Sequence, residues 1–211
     1  MPTLETLIVF TLAATVMNIS PGPSNLYVLS RTVSNGWPGG VTAALGLATG
    51  SLVHVAAAAL GLVALFQYAP SAYVALKLIG AAYLIYLGIR YFVQSDATVE
   101  MPFAANRTPA LRIFRESVLV EVLNPKTALF FLAFLPQFVD VHRGNAEIQI
   151  LVLGFIVTLT ALPCDLFVAW SSQRVVQLMT RHRWFARAQN RVAGTLLIGL
   201  GLFVATTERA P

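Results

Sequence analysis

Charged residues make up only 11% of the 211-residue chain, whereas soluble domains carry about 25%. That deficit excludes an ordinary water-facing surface. Cysteine occurs once, as Cys164 within an apolar run, which excludes an intramolecular disulfide and any thiolate metal set. The few histidines show no H-E-x-x-H spacing, and no nucleophile stands beside a base in a recognisable catalytic motif. No cofactor or metal is therefore expected. The N-terminus has neither a basic n-region nor an A-x-A cleavage site, so its first apolar stretch is expected to stay as a helix. A formal net charge of +5 would suit nucleic acid, but the basic residues sit in gaps between apolar runs and form no stripe interleaved with aromatics. Nucleic acid is excluded as a partner, and the lipid bilayer takes its place.

What is abundant is hydrophobic sequence, 57% of the chain. Runs long enough to cross a bilayer cover Leu4 to Ser30, Gly40 to Phe66, Ser71 to Val93, Ser117 to Phe138, Ile148 to Ser171 and about Ala188 to Thr206. The expected fold is an all-α integral membrane protein of six transmembrane helices, one membrane domain with no separate soluble unit. Basic residues crowd three of the gaps: Arg31 in the first; Arg90, Arg107, Arg112 and Arg115 in or beside the third; Arg174, Arg181, Arg183, Arg187 and Arg191 in the fifth. The opposite side has Arg143, Arg209 and at most Lys77. By the positive-inside rule both termini face outward.

A polar stretch from Gln94 to Pro109 divides the chain into a first repeat (1–93) and a second (115–211), with residues 94–114 as linker. Three spans in each half force opposite orientations. Pro21 matches Pro125 at an offset of 104 residues, and Lys77-x-x-Gly80 matches Arg191-x-x-Gly194 at an offset of 114. The same shift carries His54 into a window containing Asp165, so the middle helix of each half holds an ionisable group. Two inverted-topology repeats with broken helices 1 and 4 are the expected architecture of a secondary transporter.

The first break is Asn18-Ile-Ser-Pro-Gly-Pro23, where Pro21 and Pro23 remove donors and Gly22 admits dihedrals closed to other residues. Freed backbone groups at membrane depth must line a cavity or meet protein partners. The half-helix starting near Ser24 and Asn25 would aim its amides at a buried anion such as a substrate carboxylate. Carbonyls around Met17 to Ile19 would accept from a substrate ammonium. The plainer alternative is a proline kink packed by neighbours. The second break is Asn124-Pro125-Lys126, with Glu121 one turn earlier. Lys126 either holds a substrate carboxylate or pairs with Glu121 across the break. Asn18, Ser20, Pro21, Gly22, Pro23, Asn25, Asn124 and Lys126 are the candidate substrate-binding residues.

Three ionisable groups are candidates for carrying a proton: Asp165, Glu121 and His54. Each has a plainer reading. Asp165 would pair with a basic residue at the inner boundary, Glu121 with Lys126, and His54 would bond a neighbouring carbonyl. Gly46, Gly50, Gly80 and Gly88 suit close helix approach within the chain. Gly46-x-x-x-Gly50 also suits the contact of a homodimer.

The break Ser20-Pro-Gly-Pro23, Gly46-Leu-Ala-Thr-Gly50, Gly80-Ala-Ala-Tyr-Leu-Ile-Tyr-Leu-Gly88, and Asn124-Pro-Lys126 through Phe134-Leu-Pro-Gln-Phe138 together resemble the lysine exporter (LysE/RhtB) family. The resemblance covers nearly the full chain. It implies efflux of a small-molecule amino acid or close derivative, driven by the proton gradient, across a bacterial inner membrane. Members of that family often carry an acidic residue directly after the second glycine of the span-two motif, where this chain has Ser51. The departure favours a neutral substrate such as homoserine, threonine or leucine over lysine or arginine. Two other classes compete. An intramembrane enzyme would need a catalytic set, and His54, Ser51 and Asp165 match no motif; a passive pore or scaffold would not depend on Lys126 or on a gradient.

Overall fold

The computed structural model describes residues 2–20, 22–68, 70–93, 108–140, 144–181 and 183–206. Pro21, Arg107, Arg143, Arg209 and the linker from 94 to 107 lie outside the described residues. The elements are α1 (Leu4–Ile19), α2 (Pro23–Tyr68), α3 (Pro70–Val93), α4 (Ala110–Val122), α5 (Pro125–Leu129), a π-helical turn (Phe130–Phe134), a 3₁₀ turn (Leu135–Phe138), α6 (Ala146–Arg181) and α7 (Arg183–Thr206). No strand occurs among the described residues.

Among the described residues, three segments are long and apolar enough to cross a membrane: Pro23–Leu62, Ser71–Val93 and Ala146–Ser172. The pair Ala110–Val122 and Pro125–Phe138, bent by 43° at its break, is long and apolar enough when its two pieces are taken together. The helix α1 has 16 residues, about 24 Å at 1.5 Å per residue, short of the roughly 30 Å hydrocarbon core. The apolar part of α7, Asn190–Thr206, is likewise short.

The punctuation of these helices follows from the sequence. Thr3 caps α1, its hydroxyl accepting from the Thr6 amide at 3.1 Å. Ser20 then takes a ψ of 126°, the extended geometry that a following proline imposes, and α1 stops. Within α2, Gly36 has φ 73° and ψ −174°, a conformation open to glycine. It divides α2 into helices over 23–35 and 37–68, with Pro38 in the first turn of the second, where its missing donor costs nothing. The expected first span, Leu4 to Ser30, is therefore divided between α1 and the 23–35 segment.

The helices 23–68 and α6 pack along each other, α4 lies against α2, α1 against α6, and α3 against α7. Buried positions of α4 recur as Ile113, Ser117 and Glu121, one helical face turned to α2. Gly46 and Gly50 make that approach possible. A Cβ at Gly46 would lie 2.5 Å from Ser117 Cβ, and one at Gly50 2.7 Å from Glu121 Cβ. Both glycines are thus covered by α4 of the same chain, and the motif is not available as a contact with a second copy. At the other crossing, a Cβ on Gly88 or on Gly194 would lie 2.7 Å from the carbonyl oxygen of the other. Gly194→Val is expected to force α3 and α7 apart at a cost of about 1–3 kcal/mol, seen as a lower thermal midpoint of the purified protein. An unchanged midpoint would show that the crossing yields without penalty.

One end of the core is aromatic. Phe10, Phe130, Phe134, Phe138 and Phe203 stack or tilt on one another at centroid distances from 4.7 to 6.3 Å. The π turn contributes Phe130 and Phe134 to this cluster, all of its residues but Leu132 being buried. At the far end of the same helices the seal is polar. Glu116 receives Arg31 at 2.7 Å, Arg112 at 2.8 Å and the Tyr27 hydroxyl at 3.0 Å, while Arg31 also donates to Thr108 Oγ1 at 3.0 Å.

Candidate functional site

The two breaks lie against each other, and each is stitched by side chains of the other. At the end of α1 the carbonyls of the last turn have no intrahelical partner. Lys126 supplies one: its Nζ donates to the Ser20 carbonyl at 2.8 Å and to the Met17 carbonyl at 3.2 Å. The negative end of the α1 dipole favours a cation at this point. The carbonyl of Asn18 accepts from Asn25 Nδ2 at 3.4 Å. Only a residue without a side chain fits beside the lysine, since a Cβ on Gly22 would lie 2.9 Å from Nζ and 3.2 Å from Cε. Pro23 begins α2, and the Gly22 carbonyl accepts from the Leu26 amide at 3.0 Å, the first turn of the new helix.

A carboxylate meets that first turn. Ser24 Oγ donates to Glu121 Oε2, Asn124 Nδ2 donates to Ser24 Oγ at 2.8 Å and to Glu121 Oε2 at 3.4 Å, and Thr127 Oγ1 donates to Glu121 Oε1 at 2.8 Å. Asn124 also caps α5, its Oδ1 accepting from the Lys126 amide at 3.1 Å. Lys126 and Glu121 are 6% and 7% exposed, and each is held by polar partners rather than by the other. Burying either group without such partners would cost several kcal/mol.

Around this pair, Asn18 Nδ2 reaches Thr160 Oγ1 at 3.0 Å and the Val157 carbonyl at 3.2 Å. Asp165, in α6 beyond Pro163, is buried and accepts from Asn25 Nδ2 at 3.4 Å. Ser51 and Thr158 share a hydrogen bond of 2.9 Å. His54 Nε2 bonds the Glu121 carbonyl at 3.0 Å, with its ring stacked on Phe131 at 5.7 Å. A carbonyl only accepts, so Nε2 carries the hydrogen. Ser20 Oγ is buried and has no partner among the described residues.

Asn18, Ser24, Asn25, Ser51, Glu121, Asn124, Lys126, Thr127 and Asp165 line one chamber. Its free volume of about 20 Å³ has room for a water molecule and is far below that of a ligand pocket. Of the residues singled out by sequence, Asn18, Asn25, Glu121, Asn124, Lys126 and Asp165 line it, Gly22 and Pro23 shape it, and Ser20 contributes its carbonyl. His54 touches it only through the Glu121 backbone. Sequence reasoning passed over Ser24 and Thr127 as ligands of Glu121. Their signal was position: Ser24 follows the last proline of one break and Thr127 follows the lysine of the other.

A helical membrane protein with two interlocked helix breaks around a small, polar, charge-bearing chamber is the class that this fold and site define. The chain belongs to the LysE type translocator family, which matches residues 15–208. That family is one of translocators, not of enzymes. The chain is 29% identical over 212 residues to the homoserine/homoserine lactone efflux protein of Salmonella typhimurium, covering 99% of this chain and 100% of that one. An uncharacterised membrane protein of Pseudomonas aeruginosa is 31% identical, with 93% of each chain covered. Another, from Vibrio cholerae, is 30% identical over 94% of this chain and 96% of its own. No solved structure matches.

Proposed function

We propose that this translocator exports a small neutral amino acid, homoserine or a close derivative, from the bacterial cytoplasm across the inner membrane at the expense of the proton gradient. The observation that carries the reading is the seating of Lys126 on the carbonyl end of a broken helix, opposite Glu121 at the start of the next. Charges at membrane depth are costly and mark ligand or ion pathways. Half-helix ends are where secondary transporters hold zwitterions. The relative named for homoserine and its lactone supplies the substrate class. Ser51 supports a neutral one, because at that point of the chamber wall it presents a hydroxyl and no carboxylate.

The mechanism we infer is alternating access by two inverted halves of three spans. If a two-fold operation carries residue i to residue i + d, residues on its axis touch their own images at separation d. Lys126 to Ser20 is such a contact at a separation of 106, and Ser51 to Thr158 at 107. Gly88 and Gly194, also 106 apart, touch at the third pair of spans. These three contacts support a repeat related by a shift of 106–107 residues, between the offsets of 104 and 114 expected from single residues. The packing of α1 on α6 and of α4 on α2 exchanges under the same operation. The aromatic cluster and the Arg31–Glu116 cluster would close the two ends in turn. Arg31 and Arg112 meet at the second of these, which supports placing it on the cytoplasmic side, with both termini outside.

The test is efflux from proteoliposomes preloaded with labelled amino acids and homoserine, with and without an imposed proton gradient. Gradient-dependent loss of homoserine or another neutral amino acid is expected. If none leaves faster than from protein-free liposomes, the reading is wrong in substrate class.

A further inference from the structure

Nothing in the export reading says what fills the chamber between transport events, and the geometry gives an answer that also defines the substrate group recognised. The reasoning rests on that export reading. The carbonyls of Met17 and Ser20 form an acceptor pair at the negative end of α1, suited to any primary ammonium. They are occupied by the ammonium of Lys126, at 3.2 and 2.8 Å. The lysine stem reaches them through the space left by Gly22. With the lysine seated, about 20 Å³ of free volume remains, too little for an amino acid. The hydroxyl of Ser20, whose carbonyl anchors the lysine, is buried without a partner among the described residues. Buried polar groups are rarely left so unless something else comes to meet them.

We propose that Lys126 is a tethered stand-in for the substrate's amino group: the incoming primary ammonium takes the Met17 and Ser20 carbonyls and releases Lys126 from them. The exchange replaces one cation by another at the helix end. The carbonyls, Glu121 and Asp165 therefore never face the chamber without a compensating positive charge in a low-dielectric setting. Once released, Lys126 can meet the substrate's carboxylate where there is one. The ammonium becomes the obligatory recognition element and the carboxylate a secondary one. Homoserine and homoserine lactone share the first and differ in the second, so both satisfy the site. A compound whose nitrogen is acylated cannot displace the lysine.

The experiment is direct binding, by calorimetry, of homoserine lactone and of its N-acetylated form to the purified native chain and to Lys126→Met and Lys126→Gln. The glutamine retains N–H donors for the two carbonyls and so guards against a merely misfolded variant. The native chain should bind the free amine and not the acetylated one. Removing the tethered competitor in Lys126→Met should tighten binding of the lactone by about tenfold, the factor expected if the seat is free about a tenth of the time in the native chain. Lys126→Gln, which still offers a neutral donor, should show a smaller gain. Loss of lactone binding in both variants would overturn the stand-in role while leaving export intact. Equal binding of the acetylated lactone to the native chain would also overturn it. If the native chain binds neither compound and shows no efflux, the export reading falls and this inference with it.

Discussion

Lys126→Ala is expected to reduce efflux by at least about 30-fold while leaving the amount of protein in the membrane equal to, or above, that of the native chain. The abundance follows from insertion energetics, since a charge at the centre of a span costs about 2.5–3.5 kcal/mol on insertion scales and alanine removes it. The transport defect follows from what the side chain holds. Two charge-assisted hydrogen bonds, to Met17 and Ser20, are lost, and each buried acceptor left unpaired costs about 1–3 kcal/mol. A site destabilised by 2 kcal/mol in one step of the cycle loses about 30-fold in the population of that step. The defect falls on the return of the empty carrier, because substrate supplies the missing ammonium only while it is bound. Efflux and membrane abundance are measured on the same vesicles. Native rates at native abundance would show that the carbonyl end of α1 needs no cation, and the functional role of Lys126 would go with it.

Much of this site could be read in the sequence, for physical reasons that differ from residue to residue. Prolines at 21, 23 and 125 interrupt apolar runs, and a lysine and a glutamate inside such a run are costly enough to demand partners. Those rules picked out Asn18, Asn25, Asn124, Lys126, Glu121 and Asp165, which share one chamber. The pairing within it was not legible. Of the two readings of Lys126, a hold on a substrate carboxylate or a pair with Glu121 across the break, the second is not what the fold shows. The bend at Asn124 instead sends the ammonium to α1 and the carboxylate to Ser24 and Thr127, because each helix end attracts the charge opposite to its own dipole.

The fold shows the same division. Hydropathy located the apolar runs, but the turn at Gly36 depends on a dihedral pair that composition does not reveal. The span count by length also stops short of the hydropathy reading, since α1 ends at Ile19 and its continuation is the start of α2. Gly46-x-x-x-Gly50 announced a close helix contact. Only the fold could say that Ser117 and Glu121 of the same chain provide it, since a small-residue motif identifies no partner by itself.

Asp165→Asn is expected to abolish the stimulation of efflux by an imposed proton gradient while sparing exchange of labelled for unlabelled substrate across the membrane. Three groups compete to carry the proton, and their surroundings separate them. The nitrogen of His54 that faces the site is committed to the Glu121 carbonyl at 3.0 Å. Glu121 is held by three side-chain donors, Ser24, Asn124 and Thr127, and protonation of the carboxylate would weaken it as their acceptor. Among the described residues Asp165 accepts a single long hydrogen bond, 3.4 Å from Asn25, and it lines the chamber with Lys126. It can therefore gain and lose a proton with the least rearrangement, and asparagine keeps its shape and its acceptor oxygen while removing the titratable group. Exchange requires only that the loaded carrier reorient, so it should continue at a rate within about threefold of native, a difference of under 1 kcal/mol. The two readouts separate a coupling role from a structural one, because a damaged chamber would lose both. Persistent gradient-driven efflux in Asp165→Asn would move the proton to Glu121, where the same pair of assays on Glu121→Gln would find it.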